Sequence, residues 1–175
     1  MILEIVQTGH PVLREVGRDL TVEEIKSENT AKLIEAMRET MREAPGVGLA
    51  APQIGLSLQL AVIEDRADYL SEVDPEHLER LQRSPLEFHV IINPRLHVVG
   101  DETVDHFEGC LSVAGFGAVV RRALNVRVEC LNERAEQITI NAHGWYARIL
   151  QHEIDHLNGT LYIDKMESRT FTCTE

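Results

Sequence analysis

The sequence predicts an α+β fold in which short, mostly antiparallel strands surround a buried C-terminal helix that carries an H-E-x-x-H sequence. Two observations support this fold class. Short segments rich in β-branched residues are separated by turn residues, and two longer segments have apolar residues at helical spacing. No internal repeat, low-complexity tract or linker interrupts the chain, so we expect one domain over residues 1–175.

Local patterns predict where the helices begin and end. Thr21–Glu24 has the form of a capping box, which marks a helix start. From about Thr30 to Ala44 apolar residues recur at helical spacing, and Pro45–Gly46 ends that helix. The C-terminal helix should run from about Gly144 to Asn158, with Gly159 placed to cap it.

Two short apolar segments in the first half of the chain read as buried strands. They are Leu58–Glu64 and Val90–Asn93. The segment between them, Asp65–Pro85, is polar and acidic, with a short helix predicted over Pro75–Arg83. We therefore predict that this segment is an excursion on the surface of the protein.

A β-hairpin is predicted in the second half. Ala118–Leu131 is β-branched and partly alternating, Asn132–Arg134 suits a turn, and Gln137–Ala142 suits the returning strand. Cys130 lies in the first strand and should be a small buried apolar residue. With only three cysteines in the chain, no disulfide framework is expected.

Composition excludes several classes of function. The formal net charge of −12 argues against nucleic-acid binding through a broad cationic face. No apolar run approaches the roughly 20 residues that a membrane-spanning helix needs, so no membrane partner is expected. The N-terminus has neither a secretory signal nor an Arg-rich transit pattern. We expect a cytoplasmic bacterial protein, or the mature form of a mitochondrial-matrix or plastid protein.

The strongest chemical feature is the H-E-x-x-H sequence from His152 to His156. Residues four apart lie above one another on a helix, so both imidazoles can bind a single metal ion. Glu153 projects beside them and can act as a general base on water. An amphipathic helix that carries two histidines without a metal is the alternative at this point.

A third metal ligand is expected upstream of the helix. Hydrolytic zinc-type sites use three protein ligands and an open position. Only 19 residues follow His156, without a histidine and with acids in unpromising positions, whereas Cys110 lies upstream in the sequence E-G-C-L-S. Cys110 would complete a Cys-His-His set, although a cysteine considered alone is more often a buried structural thiol.

The glycine-rich segment Gly46–Gly55 is not a phosphate loop, because it lacks the P-loop Lys and Ser/Thr and any G-x-G-x-x-G pattern. Its small residues suggest closely packed backbone. Gln53 offers an amide donor that could stabilise an oxyanion. A helix-to-strand turn with a hydrogen-bonded glutamine is the alternative.

Together, the segments GVGLAAPQIG, EGCLS and QHEIDH resemble the three signature motifs of peptide deformylases, in the same order and without departure at a fixed position. The likeness extends to HPVLREV near the start, INPRL, and LYIDKM near the end, and is least constrained over residues 65–85. Val113–Phe116, HGWYARILQHE and DKMESRTF resemble the organellar, type 1A branch.

The resemblance implies that Cys110, His152 and His156 bind one divalent metal ion. In this family that ion is usually Fe²⁺, and Zn²⁺, Ni²⁺ or Co²⁺ can replace it. A water bound to the metal would attack the formyl carbon of a formyl-methionyl nascent peptide, with Glu153 as general acid and base. The Gln53 amide and the Leu111 backbone N–H would hold the oxyanion, and formate would be released.

The resemblance also implies a pocket for the methionine side chain. The expected substrate-binding residues are Val47, Gly48, Gly109, Trp145 and Ile149. Gly48 would allow the substrate to approach closely, and Gly109 would allow the backbone to approach the metal. Trp145 and Ile149 precede His152 by seven and three residues, which places them near its helical face. Ordinary core packing is the alternative for both.

Two positions depart from many relatives. His106 stands where an apolar residue is common and could alter the pocket, and Gly117 stands where many bacterial relatives have an arginine that binds the peptide backbone. Arg122 matches a recurrent family arginine, and we expect a structural role for it.

Other functions stay open on sequence alone. An H-E-x-x-H zinc endopeptidase would cleave internal peptide bonds without needing Cys110, and a closed structural metal site would need neither Glu153 nor Gln53. A non-catalytic relative would bind formylated peptides without releasing formate. Transient contact with the ribosome is a further expectation, although the sequence shows no long basic C-terminal helix like that of many bacterial relatives.

Overall fold

A computed structural model describes residues 1–175. Its strands form a five-stranded sheet in the order β1-β2-β3-β6-β7 and a three-stranded sheet in the order β4-β5-β8, and every ladder between these strands is antiparallel. The elements are α1 (Val22–Ile25), α2 (Glu28–Glu43), β1 (Gly48–Ala50), β2 (Leu60–Asp65), α3 (Ala67–Leu70), α4 (Pro75–Leu81), β3 (Leu86–Val98), β4 (Thr103–Gly109), β5 (Phe116–Ala123), β6 (Asn125–Leu131), β7 (Gln137–His143), α5 (Gly144–Leu157) and β8 (Thr172–Cys173).

Helix α5 lies inside the protein, as predicted. Ala147, Leu150, Ile154 and Leu157 on one of its faces belong to the largest apolar cluster, which they share with strands of the five-stranded sheet. These side chains recur at three- and four-residue spacing, so one face of the helix is buried along its whole length. The α+β prediction with a buried C-terminal helix is therefore confirmed.

The predicted helix ends agree closely with the structure. Thr21 and Glu24 form a complete capping box at α1. Helix α2 begins at Glu28, because the Ser27 side chain accepts a hydrogen bond from the Thr30 N–H, and it ends at Glu43. Gly159 follows α5 in the left-handed conformation (φ +74°), as expected for a helix-capping glycine.

The strands differ more from the sequence prediction. Strand β3 extends over Leu86–Val98, well beyond Val90–Asn93, and β4 was not predicted. The predicted run Ala118–Leu131 is two strands, since β5 pairs with β4 and β6 pairs with β3 in the other sheet. The predicted hairpin is present between β6 and β7.

The polar segment after β2 contains two short helices, α3 and α4, separated by a turn. Leu70 and Leu81 anchor these helices in the interior, and most other side chains of the segment are partly or fully exposed. The prediction of a surface excursion therefore holds for most of the segment, whose buried residues are Asp65, Leu70 and Leu81. No helix of the chain has the length and apolar character needed to cross a lipid bilayer.

Candidate metal centre

Cys110, His152 and His156 meet at one point between β4 and α5. Their ligand atoms all lie within 4.8 Å of one another. The Cys110 Sγ lies 3.2 Å from the His156 Nε2, and the two imidazole centroids, on successive turns of α5, are 5.0 Å apart. A thiolate and two imidazoles are donors that suit zinc or ferrous iron, so the three residues fit a divalent metal.

Glu108 orients the first histidine of the site. The His152 Nδ1 donates a hydrogen bond of 2.9 Å to the Glu108 Oε1, which leaves Nε2 to face the thiol. Such a carboxylate fixes both the tautomer and the direction of a metal-binding imidazole. No sequence pattern indicated this role for Glu108, although it lies two residues before Cys110 in the same motif.

Two buried arginines keep Glu108 ionised. Arg122 donates two hydrogen bonds of 2.9 Å to its carboxylate and also pairs with Asp155, while Arg148 donates to the Glu108 Oε2. Burial by itself would raise the pKa of Glu108, but the hydrogen bonds from Arg122 and His152 outweigh it and hold that pKa far below its ordinary value. The structural role expected for Arg122 agrees with these contacts.

Glu153 is a buried carboxylate beside the three donor atoms. Burial raises its pKa to about 7, although the neighbouring His152 opposes the shift, and its Oε2 has no hydrogen-bond partner in the protein. A bound cation would lower this pKa, since positive charge favours the carboxylate. A carboxylate that gains and loses a proton near neutral pH suits general acid–base chemistry.

The space beside Gly48 is filled by Glu153. A Cβ placed on Gly48 would lie 2.2 Å from the Glu153 Oε1, which is far closer than non-bonded atoms approach. The absence of a side chain at this position therefore makes room for the carboxylate. Gly48 also borders the adjacent cavity, so the expected approach of substrate to its backbone stays a prediction.

Gln53 and Leu111 present donors next to Cys110. The Gln53 Oε1 accepts a hydrogen bond from the Ala50 N–H, and its Nε2 donates to the Ser112 Oγ at 3.2 Å and lies 3.7 Å from the Cys110 Sγ. Gln53 is thus both a hydrogen-bonded turn residue and a donor at the site. The Leu111 N–H donates no backbone hydrogen bond and is available to another acceptor.

A cavity of about 540 Å³ opens beside these groups. The five residues predicted to bind substrate all line it: Val47, Gly48, Gly109, Trp145 and Ile149. Ile149 is also part of the main apolar cluster, and Trp145 packs against that cluster, so pocket wall and core packing are compatible at both positions. His106 is absent from the lining.

Several lining residues were not identified from the sequence. Arg148 lies one turn before His152 on α5, so helical spacing alone places it on the same face. The ring of Phe107 occupies the space beside Gly117, where an added Cβ would lie 2.4 Å from it. Among the other lining residues, no local pattern indicates a place at the cavity for Arg83, Phe116 or Thr174.

A sequence model described as polypeptide deformylase matches residues 2–171. The chain belongs to this family. It is 52% identical over 172 residues to the chloroplastic peptide deformylase 1A of Solanum lycopersicum, and 48% identical over 168 residues to the chloroplastic/mitochondrial peptide deformylase 1A of Arabidopsis thaliana. These alignments cover 98% and 96% of the chain, which spans 62% of the length of each relative.

Solved deformylase structures have the same fold. The class I type b peptide deformylase from Acinetobacter baumannii, crystallised with Met-Ala-Ser, superposes with a TM-score of 0.84 at 31% identity and covers 95% of this chain and 99% of its own. The resemblance stated from the three motifs is therefore confirmed, including the likeness to organellar type 1A relatives. Its relatives include both bacterial and organellar proteins.

Proposed function

We propose that the chain is a metal-dependent peptide deformylase that removes the N-formyl group from formyl-methionyl nascent polypeptides and releases formate. One observation carries this proposal. Cys110 and His152 of the Cys-His-His donor set line one cavity together with the buried Glu153 carboxylate and Gln53, and the third donor, His156, lies directly behind them. A hydrolase of this type needs the donor set, the carboxylate and the amide, whereas a structural metal site needs the donor set alone.

Cys110, His152 and His156 would hold the metal. When bound, the ion would supply a Lewis acid that activates water and polarises the formyl carbonyl. We propose Fe²⁺ as the ion in the cell, with Zn²⁺, Ni²⁺ and Co²⁺ as functional substitutes, because a mixed thiolate and imidazole set accepts all four. Family membership supports metal dependence without specifying the ion.

Glu153 would carry the proton transfers of the reaction. Its carboxylate would take the proton from the attacking water and deliver a proton to the departing amine. The Gln53 Nε2 and the Leu111 N–H, the two donors beside Cys110, would stabilise the negative charge that develops on the formyl oxygen.

The methionine side chain would enter the cavity between Val47, Trp145 and Ile149, with the backbone of Gly48 and Gly109 along the peptide. The binding of Met-Ala-Ser by the Acinetobacter baumannii relative supports a peptide with an N-terminal methionine as the ligand class. We further propose that residues 1–175 form one catalytic domain that acts in the bacterial cytoplasm or in an organelle, with transient ribosome contact.

The zinc endopeptidase alternative is less well supported. The third donor of this site is Cys110, upstream of α5, and no acid from the last 19 residues joins the donor set. A deformylase should release formate from a formyl-Met peptide and leave the internal peptide bonds intact.

The decisive experiment is formate release from a formyl-Met tripeptide by the full chain loaded anaerobically with Fe²⁺. The control is Glu153→Ala with the same measured metal content. We expect turnover by the parent and a loss of at least ~100-fold in the control, because a positioned general acid–base contributes about that much. A fully metallated parent that binds the peptide and releases no formate would show a non-catalytic relative. Cleavage at an internal bond would show an endopeptidase.

A further inference from the structure

The polar surface segment Asp65–Pro85, called the excursion below, packs closely against the start of α5 at its C-terminal end. Gln82, which follows α4, has a left-handed backbone (φ 52°). A Cβ on Gly144 would lie 2.6 Å from the Gln82 Cβ, so only a residue without a side chain allows this approach. The neighbouring residue, Arg83, is thereby brought beside Trp145, the second residue of α5.

Arg83 is held by a buried carboxylate. The Asp65 side chain is 0% exposed and accepts two hydrogen bonds from Arg83, from Nε at 2.7 Å and from Nη2 at 2.9 Å. The Arg83 side chain is only 16% exposed. A two-pronged contact of this kind fixes the plane of the guanidinium as well as its position.

The fixed guanidinium covers the indole of Trp145. The Arg83 Cζ lies 5.3 Å from the ring centroid, and both side chains line the cavity next to the metal centre. A cation at this distance over an indole face is attracted by the ring. The Trp145 Nε1 is buried without a hydrogen-bond partner, so apolar packing and Arg83 together determine the orientation of the ring.

Trp145 lines the same cavity as His152 and lies farther toward the start of α5. It precedes His152 by seven residues, or about 10 Å along the helix axis. A long unbranched side chain that enters beside His152 would end against the indole face.

We propose that Arg83 is a positioning residue for substrate selection. Clamped by Asp65, it holds the Trp145 indole as the wall that favours a long, unbranched first side chain over a shorter or branched one. This proposal rests on the function proposed above and extends it, because it assigns a selective role to the polar excursion.

The excursion contains a matched control for the same three kinds of side chain. Arg66 pairs with Asp68 at 2.7 Å and lies 5.7 Å from the ring centroid of Tyr69. The Arg66 and Asp68 side chains are both exposed, and Arg66, Asp68 and Tyr69 do not line the cavity. Removing charges there tests for general effects of changing the excursion.

The test compares the double variant Asp65→Asn/Arg83→Gln with the control Arg66→Gln/Asp68→Asn, both loaded with the same metal as the parent. The double change avoids leaving the buried Asp65 carboxylate without a hydrogen-bond partner. We expect the KM for formyl-Met-Ala-Ser to rise about 5-fold or more, with kcat within about 2-fold, since uniform binding is lost. The preference in kcat/KM for formyl-Met over formyl-Leu tripeptides should fall by about 3- to 10-fold, within the range of hydrophobic-pocket discrimination.

Arg83→Lys separates positioning from simple charge neutralisation. A lysine keeps a cation opposite Asp65 but lacks the planar fork. If Arg83 only neutralises Asp65, this variant should match the parent in KM, in selectivity and in fluorescence. We expect instead a raised KM and a shifted emission spectrum. This single change also keeps the proposal testable if the double variant fails to fold.

Trp145 gives a direct optical measurement, because it is the only tryptophan of the chain. We expect Asp65→Asn/Arg83→Gln to shift its emission and to weaken the fluorescence response to Met-Ala-Ser, whereas the control matches the parent. This titration needs no turnover. If the parent releases no formate but the optical differences appear, the proposed function fails and the positioning of Trp145 stands. Emission, KM and selectivity equal to those of the control would overturn the inference.

Discussion

Two buried carboxylates hold arginines that line the cavity or support its wall, but the two differ in how many side chains they bind. On the α5 side, Glu108 accepts hydrogen bonds from Arg122, Arg148 and His152. On the excursion side, Asp65 accepts hydrogen bonds from Arg83 alone. The first carboxylate connects a strand, a helix and the metal centre, whereas the second connects the excursion to one wall of the pocket.

This difference indicates that the two carboxylates contribute to different properties of the protein. A shared carboxylate cannot be removed without leaving several buried donors unpaired. An isolated pair can be replaced as a unit by neutral groups with limited damage to the fold. The α5 side should therefore control stability and metal binding, and the excursion side should control which peptide is accepted.

Glu108→Gln should have the largest effect on stability. It removes the one carboxylate paired with the buried guanidinium of Arg148 and one of the two paired with Arg122, so the free energy of unfolding should fall by about 3 to 5 kcal/mol. Urea denaturation of the metal-loaded protein measures this loss, and metal affinity should fall with it.

The control for this change lies on the same strand. Asp105 also pairs with an arginine, Arg121, but both side chains are exposed, at 48% and 70%. Asp105→Asn should leave the urea midpoint within the error of the measurement, since exposed ion pairs contribute little. Equal losses in the two variants would refute the large contribution to stability expected of the buried, shared Glu108 carboxylate.

Gly48→Ala should reduce turnover with little effect on the fold. The new Cβ would overlap the Glu153 carboxylate, which must move away from the metal centre. We expect a loss of formate release of at least about 10-fold, smaller than the ~100-fold or more expected for removing the carboxylate. Metal content and the urea midpoint should stay near the parent values.

A second change sharpens this prediction. Glu153→Asp shortens the side chain by one methylene, so adding it to Gly48→Ala relieves the overlap. The double variant should be more active than the product of the two single losses predicts. Additive losses would show that the alanine acts by another route.

The meeting of the three candidate metal ligands was predictable because these residues lie in short local patterns. His152 and His156 are four residues apart on a helix with clear capping signals, and Cys110 lies in one of three motifs that resemble a known family. The bounds of α5 followed from the same helical spacing. The cavity wall was predictable where residues lie in the motifs, as Val47, Gly48 and Gly109 do, or share the spacing of that helix, as Trp145 and Ile149 do.

The features that the sequence did not predict depend on contacts between residues that are distant in sequence. Strand β4 is mostly polar and has little strand character of its own, and it forms because it pairs with β5 in register from Thr103 to Gly109. Arg83 reaches the cavity only because Asp65, 18 residues earlier, is buried at the end of β2. No local pattern distinguishes Arg83 from Arg66 or Arg80 on the same polar excursion.

Glu64, next to Asp65 on β2, should give the smallest effect and the clearest pH signature. Arg42 donates two hydrogen bonds of 2.7 Å to the Glu64 carboxylate. The hydrogen bonds from Arg42 lower the pKa of Glu64 below its ordinary value, although burial opposes the shift. A lowered pKa stabilises the folded protein above the unfolded-state pKa of about 4.3, and this stabilisation is lost as the pH falls through the folded-state pKa.

Glu64→Gln should therefore lower the free energy of unfolding by about 1 kcal/mol at neutral pH and by progressively less in acid. Urea denaturation of parent and variant at several pH values measures this difference. Arg42→Gln should remove the same pH-dependent part, and the double variant should add nothing further to it. A difference that stays constant down to strongly acidic pH would mean that Glu64 stabilises β2 by packing, and the base of the excursion would then be held by shape more than by charge.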